Sequence, residues 1–404
     1  MSTRTFITGA DLVLPDRVVS SHTLVLEDER IVDLISGSRA PDKGDAHEDL
    51  PGRVIVPGFV DVHVHGVEGI DSLNGRGAVL SMSEKLPRWG VTAFCPTTLA
   101  CGPEPLETFL AEVGECRVRS HAGARVLPAH LESNFINPEF RGAQPLSCLR
   151  VPADTGSRSQ AWNAGQTPDF TGADILATID RHRTSVGIVT LAPELDGGLL
   201  LVRAFVAAGV HVSLGHSGAT FEVAQEAIAA GARQATHLFN RMSPMSHRDP
   251  GLTGAVLSSD EIAAELVCDG HHVHPAVMRV AITAKSPSRM MAITDGTAGS
   301  GLPTGTRAEI GGYALTVQDV ARYDDGTIAG SVVTMNRVFA CLVGTVGLDL
   351  IGAAQMCATT PARELRLSDQ GAIAPGFLAD LAVLDASLDV EQTWVGGKKV
   401  FSKA

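Results

Sequence analysis

Eight short apolar segments recur between residues 57 and 300, and this repeat constrains the fold more than any other feature. They read FVDVHVHG, VTAFCPTT, RVLPAHLES, GIVTLAPE, HVSLGHS, QATHLFN, AAELVCDGHH and RMMAITDGT. Most are separated by stretches with helical spacing, such as LETFLAEVGECRVR and TFEVAQEAIAAG. Strands that alternate with helices form a parallel sheet. Eight such units predict an α/β fold, a (β/α)8 TIM barrel. A doubly wound open sheet is the alternative, but no GxGxxG motif follows the first strand.

The two ends of the chain differ from this middle, because both are rich in Val, Ile, Leu and Thr separated by turn residues. We therefore predict one small β-sandwich domain built from residues 1–56 and 362–404, and a barrel over 57–361. A hairpin insertion is expected near 307–328, after the eighth strand. The segment from 141 to 172 is loop-like and rich in Ser, Gly, Pro and Gln, as is typical of a lid or mobile segment.

Composition and charge exclude several classes of function. The net charge is −13, and no basic stripe interleaved with aromatic residues occurs, so a nucleic-acid partner is not expected. The N-terminus lacks the apolar core of a signal peptide, and no run approaches the ~18 apolar residues of a membrane span. The seven cysteines form no CxxC pair, as expected of reduced thiols. A cytoplasmic protein without a membrane partner is the expectation.

Side chains that commonly bind metals occur at the C-terminal ends of the predicted strands, and these ends meet at one mouth of a barrel. They are His63, His65, Glu132, His216, His237, His272 and Asp295. A single such residue is more often structural, and Glu132 or Asp295 alone could be a solvated turn residue. Their shared position on six strands instead predicts a site for a divalent metal such as Zn, Fe, Co or Mn.

Nine segments in the same order extend this pattern over nearly the whole chain: PGFVDVHVHG, HLESNFINP, LGHSGAT, ATHLFNRMSPMSHRDPG, CDGHHVHP, ITDGT, GTIAGSVVTM, ATTPAREL and GAIAPGFLADLAVLD. Together they resemble N-acetylglucosamine-6-phosphate deacetylases of the amidohydrolase superfamily. The resemblance implies a (β/α)8 barrel with a small β-sandwich. It also implies a metal-dependent hydrolase that removes the acetyl group from N-acetylglucosamine 6-phosphate, or a close amino-sugar phosphate, to give the free amine and acetate.

The resemblance also implies roles for individual residues in holding one or two divalent ions per subunit. One ion would be held by Glu132, His216 and His237. A second would use His63 and His65, with Asp295 near it and Glu132 as the bridge. Zinc is the first expectation, and iron, cobalt or manganese are the alternatives.

Other positions match the family's catalytic and substrate-binding motifs. Asp295 would be the general acid and base, and His272 would contact the scissile carbonyl. Asn240 and Arg248 resemble groups that grip the sugar phosphate. Because the family's arginine reaches across a dimer interface, a homodimer is implied.

Three departures from the family pattern lie on the substrate side. Ser133 and Asn134 stand where the family has Gly-Pro, Gln144 replaces a substrate-binding histidine, and the loop that follows, to Gly172, is atypical. These changes leave open a different N-acyl amino sugar or a small amide as the substrate.

Rival activities fit the sequence less well. A cyclic amidase is disfavoured because GIVTLAPE lacks the lysine that often bridges two metals, and a deaminase because the HLFN and HRDPG stretches suit a sugar phosphate. A non-catalytic scaffold is the remaining alternative, although all the metal-binding positions are filled.

Overall fold

The structure is a computed structural model that describes residues 4–39, 41, 43–119, 122–152 and 169–403. Its centre is a barrel of eight parallel strands: Phe59–Val64, Val91–Thr98, Ala129–Glu132, Val186–Leu191, His211–Leu214, Gln234–Ala235, Ala263–Val267 and Met290–Ile293. The last strand returns to the first, where the Asp295 N–H donates to the His63 carbonyl at 3.0 Å. The predicted TIM barrel is therefore confirmed, and the open sheet is excluded.

Helices follow the strands and cover the outside of the barrel. In chain order they are Ala78–Lys85, Pro103–Val118, Gly172–Arg181, Gly198–Ala207, Phe221–Ala229, Gly251–Ser258, Pro275–Lys285 and Met335–Cys341. In Pro103–Val118 the buried Leu106, Phe109, Leu110 and Val113 recur at the spacing of one helical face, which packs on the strands. No helix in the described ranges has the length and apolarity needed to cross a membrane.

The barrel interior is apolar towards the N-terminal ends of its strands. Side chains such as Val60, Leu127 and Ala263 form one buried cluster there, and Leu365 packs against it. The buried polar side chains Glu132, His216 and His237 lie at the C-terminal ends of the strands. The apolar end of the barrel therefore stabilises the fold, and the C-terminal end carries the candidate site.

The chain termini form two further sheets. One contains Arg4–Thr8, His22–Glu27, Arg30–Ser36 and Ala46–Asp49; the other contains Asp11–Val13, Val18–Val19, Val54–Pro57, Leu381–Leu384, Val390–Val395 and Lys398–Ser402. They share a core that includes Leu12, Leu24, Ile55 and Leu381. Strands from both chain ends thus pack together as a β-sandwich would, while the domain boundaries at 56 and 362 stay a prediction.

Two segments break the alternation of strand and helix. Where a hairpin was expected near 307–328, four antiparallel strands form a small sheet: Arg307–Ile310, Tyr313–Val317, Ala321–Arg322 and Ile328–Gly330. The loop predicted from 141 to 172 contains the short 3₁₀ helix Leu146–Cys148. Its residues 153–168 lie outside the described residues, and its function as a lid stays a prediction.

Candidate metal centre

Three predicted metal ligands meet at the C-terminal mouth of the barrel. Oε1 of Glu132 lies 2.7 Å from Nε2 of His216 and 2.9 Å from Nε2 of His237. The two Nε2 atoms are 3.0 Å apart, and all three side chains are buried. Glu132 ends the third strand, and His216 and His237 follow the fifth and sixth strands, so only closure of the barrel brings them together.

A second group lies beside the first and shares Glu132 with it. Nε2 of His63 and Nε2 of His65 are 3.2 Å apart, and each is 3.4 Å from Oδ1 of Asp295. Oε2 of Glu132 lies 3.5 Å from Nε2 of His65. The carboxylate of Glu132 therefore stands between the two groups, with one oxygen towards each.

The donor set fits one or two divalent cations. In each of the two groups, one nitrogen or oxygen per residue lies within 4.8 Å of the others, and imidazole with carboxylate is a ligand set of zinc and similar metals. The Nε2 atoms of His216 and His237 face each other, as do those of His63 and His65, and each pair can share at most one proton. A cation in each group would instead bind the lone pairs of both nitrogens.

The pKa shifts of Glu132 and His237 also fit a metal site. Burial by itself raises the pKa of Glu132, but its contacts with His216 and His237 outweigh this effect and hold the pKa well below its usual range. Burial by itself lowers the pKa of His237, but the hydrogen bond to Glu132 raises it to about 9. The buried Glu132 carboxyl is thus held ionised beside the imidazoles, as a metal ligand must be.

Several ligands adopt left-handed backbone conformations that non-glycine residues rarely use. The φ angles are +48° at His216, +30° at His237 and +48° at Asp295. Each such residue costs on the order of 1–3 kcal/mol, and such strain is concentrated at functional sites. All three follow the last residue of their strand, so the turn of the chain directs the side chain into the mouth.

Neighbouring residues orient the ligands, and the sequence reasoning missed most of them. His216 bonds through Nδ1 to the carbonyl of Phe140 at 2.8 Å, and His63 bonds through Nδ1 to Oε2 of Glu265 at 2.8 Å. His130, left unassigned from the sequence, bonds to the hydroxyl of Thr190 at 2.7 Å. A glutamate inside the apolar strand AAELV was the one available signal for Glu265.

A cavity of about 120 Å³ opens above the metal ligands. Its lining contains Gln144, Asn240 and His272 among the predicted substrate-side residues, and Arg241, which was not predicted. Arg248 is exposed and does not line the cavity, so the single chain does not bring it to the site.

His272 is held in one orientation by a neighbouring carboxylate. Its Nδ1 lies 2.6 Å from Oδ2 of Asp269, and Oδ1 of Asp269 accepts backbone N–H groups of His271 and His272 at 2.8 Å each. Burial by itself raises the pKa of Asp269, but the bond to His272 outweighs it and lowers the pKa. The ring therefore presents Nε2 to the cavity.

The unusual residues after Glu132 form hydrogen bonds with the backbone. The hydroxyl of Ser133 donates to the Thr190 carbonyl at 2.6 Å. The amide of Asn134 donates to the carbonyls of Cys101 and Cys148 at 2.8 and 2.7 Å. Both side chains are buried and neither lines the cavity, so they fix the loop that carries Glu132.

Gln144 holds the metal-binding carboxylate directly. Its Oε1 accepts the backbone N–H of Ala100 at 2.8 Å, which fixes the orientation of the amide. Its Nε2 then donates to Oε2 of Glu132. A side chain expected to contact the substrate thus also contacts a metal ligand.

Comparison with known proteins identifies the class to which this fold and site belong. The amidohydrolase family matches residues 54–400, so the chain belongs to the amidohydrolase family of hydrolases. Within it, the chain belongs with the N-acetylglucosamine-6-phosphate deacetylases. The enzyme of that name from Danio rerio is 35% identical over 374 residues, covering 89% of this chain and 87% of its own. The enzyme from Bacillus subtilis (strain 168) is 32% identical and covers 86% of this chain and 85% of its own.

Solved structures agree with the sequence relatives. The N-acetylglucosamine-6-phosphate deacetylase of Pasteurella multocida superposes with a TM-score of 0.88 at 26% identity, covering 99% of this chain and 100% of its own. A mutant of the Mycobacterium smegmatis enzyme in complex with N-acetyl-D-glucosamine-6-phosphate superposes with a TM-score of 0.85 at 28% identity, with the same coverage.

Proposed function

We propose that this protein hydrolyses the acetamide bond of N-acetylglucosamine 6-phosphate and releases acetate and the free amine. The observation that carries this proposal is the complete set of buried ligands around Glu132, in a chain whose relatives over most of its length bear the name of that activity. A scaffold without activity would have no reason to retain three strained ligand positions.

The residues at the barrel mouth would hold a divalent ion in each of two overlapping groups. Glu132, His216 and His237 form one, and His63 and His65 form the other, with Glu132 shared between them. When bound, the metal supplies Lewis acidity, which lowers the pKa of water and polarises the amide carbonyl. Zinc is our first choice because neutral imidazole and carboxylate suit it well.

In this proposal Asp295 transfers the proton. Burial by itself raises the pKa of Asp295, but the hydrogen bond from His65 and the nearby His63 outweigh it and lower the pKa. The carboxylate is thus ready to accept a proton from the attacking water. It then delivers that proton to the leaving nitrogen, as a general base followed by a general acid.

His272 would stabilise the negative charge that develops on the amide oxygen. Asp269 binds Nδ1 and fixes the orientation of the ring, so that Nε2 faces the cavity. Donors fixed before the reaction begins lose little energy to reorganisation, which is why such groups are effective.

The sugar phosphate would lie at the outer end of the cavity. Asn240 and Arg241 line the cavity and offer an amide and a guanidinium for phosphate oxygens. Arg248 is exposed on the loop that follows them, and we infer that it reaches the site of a second copy, which makes the enzyme a homodimer. We assign the enzyme to the cytoplasm.

A turnover panel tests the substrate. N-acetylglucosamine and N-acetylgalactosamine, each with and without the 6-phosphate, are incubated with the metal-loaded enzyme, and acetate release is measured. We expect kcat/KM to be highest for N-acetylglucosamine 6-phosphate. An equal or higher value for the unphosphorylated sugar would overturn the assignment of Asn240, Arg241 and Arg248 to the phosphate.

A second candidate substrate is a different N-acyl amino-sugar phosphate. The observation that favours it is Gln144, because its amide is occupied by Glu132 and Ala100 where the family has a substrate-binding histidine. The same panel, extended to N-formyl, N-propionyl and N-glycolyl glucosamine 6-phosphate, decides between the two. The second candidate requires kcat/KM for one of these compounds to exceed that for the acetyl compound.

A further inference from the structure

A second cavity lies at the opposite end of the barrel from the candidate metal ligands. Its volume is about 910 Å³. Its walls include the end of helix Pro103–Val118, the first residues of the fourth barrel strand and the hairpin that leads into strand Lys398–Ser402. It therefore lies between the barrel and the β-sheet formed by the chain termini, and it has no part in the proposed hydrolysis.

The charge of this cavity is opposite to that of the whole chain. The protein has 45 acidic and 32 basic residues, and its net charge is −13. The cavity lining contains five cationic side chains, Arg117, Arg119, Arg125, Lys398 and Lys399, and one carboxylate, Glu29. Cations of like charge repel one another, so such a cluster raises the free energy of the empty protein and favours an anion nearby.

Ion pairs within the protein account for two of these cations. Arg125 binds the buried Asp380 with two hydrogen bonds, at 3.1 and 3.3 Å, and Nζ of Lys399 lies 2.6 Å from Glu48. These pairs fix part of the wall, and their charges are largely balanced.

Arg117 and Lys398 differ in this respect from Arg125 and Lys399. Within the described residues, the guanidinium of Arg117 bonds to the carbonyl of Thr184, and neither Arg117 nor Lys398 forms an ion pair with a carboxylate. Both remain exposed to the cavity and can bind an anion without breaking an existing ion pair. They come from opposite walls, one from the barrel and one from the terminal sheet.

The rest of the lining combines His211 and the thiols of Cys95 and Cys116 with an apolar wall. Val126, Leu127, Pro128, Val186 and Val400 contribute to it. An inorganic anion alone would leave this surface uncovered, whereas an anion attached to a ring would bury part of it. The volume of about 910 Å³ is near the upper end of cavities that hold drug-sized ligands.

From the charge, the size and the apolar wall, we propose that this cavity is a second binding site, for a phosphorylated small molecule that carries a ring. Arg117 and Lys398 bind the phosphate, and the apolar wall contacts the ring. The ligand bridges the barrel and the terminal sheet. The proposal does not depend on the reaction at the other end of the barrel.

Calorimetric titration of the metal-loaded enzyme tests this proposal, with adenosine 5′-monophosphate and inorganic phosphate as probes. We expect saturable binding of the nucleotide, and weaker binding of phosphate because it does not contact the apolar wall. The double variant Arg117→Gln/Lys398→Gln should bind the nucleotide at least about tenfold more weakly, since two charge-assisted hydrogen bonds are lost. The matched control Lys403→Gln removes one exposed charge outside the cavity and should bind as the parent does.

The catalytic mouth could also attract these probes, so a further variant separates the two sites. Arg248→Gln should leave nucleotide binding unchanged if the ligand occupies the cavity at the other end. Loss of binding in Arg248→Gln with full binding in the double variant would overturn the proposal. No saturable binding of the nucleotide, or equal affinity for nucleotide and phosphate, would also overturn it. If the double variant does not fold, the single variant Lys398→Gln must still weaken nucleotide binding. Lys398→Arg keeps the positive charge and must bind the nucleotide as the parent does.

Discussion

Nδ1 of His63 lies 2.8 Å from Oε2 of Glu265, and both side chains are fully buried. Burial lowers the pKa of His63 to about 3, so the ring is neutral and carries a single N–H. Because Nδ1 faces the Glu265 carboxyl group, Nε2 faces Glu132 and Asp295. Glu265 thus lies where it can fix the tautomer of His63 and turn Nε2 towards the other candidate ligands.

Replacement of this carboxylate should weaken the second metal group. In Glu265→Gln the amide can present either N or O to Nδ1, so the tautomer of His63 is no longer fixed. We expect metal affinity to fall by roughly 10–100-fold, as is typical for partners of metal-bound histidines. Competition with a chelator measures the affinity. Glu261→Gln, an exposed acid paired with Arg233, is the control and should behave as the parent. Equal affinities in both variants would contradict this role for Glu265.

The proton-transfer role of Asp295 predicts a large loss of turnover in Asp295→Asn. An amide of the same shape cannot accept the proton, so kcat should fall by roughly 10²–10⁴-fold, while most of the bound metal is retained. Steady-state kinetics and metal analysis on the same sample measure both. Asp319→Asn, an exposed position, is the matched control. An Asp295→Asn enzyme with parental kcat would rule out the assignment.

The two overlapping groups of ligands predict two metal ions per chain. His65→Gln removes one imidazole from the second group and leaves Glu132, His216 and His237 intact. We expect the bound metal to fall from two ions to one, because the remaining ligands of the second group are too few. Elemental analysis after dialysis counts the ions, with His22→Gln as the control at a site remote from the barrel mouth. Two ions in His65→Gln would exclude His65 as a required ligand.

A variant of Gln144 tests whether this residue affects the reaction through Glu132 and the metal, and not through contact with the substrate. In Gln144→Leu both of its hydrogen bonds are lost, and Glu132 loses a donor that fixes Oε2. We expect kcat and metal affinity to fall by about tenfold or more with a small change in KM. The exposed Gln318→Leu is the control. A rise in KM with unchanged kcat and metal affinity would instead assign Gln144 to direct contact with the substrate.

A capping box starts the helix Gly172–Arg181 and gives a prediction about stability. Asp174 N–H donates to the hydroxyl of Thr171 at 3.2 Å, and Thr171 N–H donates to Asp174 at 2.7 Å. Thr171→Ala should cost about 1 kcal/mol in the free energy of unfolding at pH 7. Denaturant unfolding measures it, with Thr108→Ala inside helix Pro103–Val118 as the matched control. An equal loss in both variants would show that the cap contributes nothing.

The same cap should depend on pH in a defined direction. Hydrogen bonds from the backbone and hydroxyl of Thr171 lower the pKa of Asp174. A carboxyl whose folded pKa is lowered stabilises the protein above its unfolded pKa of about 3.9, and this contribution is lost as the pH falls further. The difference between parent and Thr171→Ala should therefore persist from pH 7 to pH 5 and narrow below about pH 4.

Local sequence pattern was sufficient for the barrel strands and for the candidate ligands that follow them. The eight barrel strands lie where the apolar runs predicted them, because a run of apolar residues is buried on both faces of a parallel sheet. Glu132, His216 and His237 were identifiable because they follow those runs at strand ends. The four-stranded insertion exceeded the predicted hairpin, because its second pair of strands, Ala321–Arg322 and Ile328–Gly330, is too short to show a strand pattern in the sequence.

The contacts between distant segments required the tertiary structure. Glu265 and His63 are 202 positions apart, and no local pattern relates them. The bond from Gln144 to Glu132 depends on the path of the loop between them and on the backbone of Ala100. The cationic cavity combines Arg117 of a barrel helix with Lys398 of the C-terminal strand, two residues that are distant in the sequence. By itself, the sequence determined which side chains end each strand, because burial and periodicity are local properties. Only closure of the barrel and docking of the terminal strands decided which of them meet, because those distances follow from the packing of the whole chain.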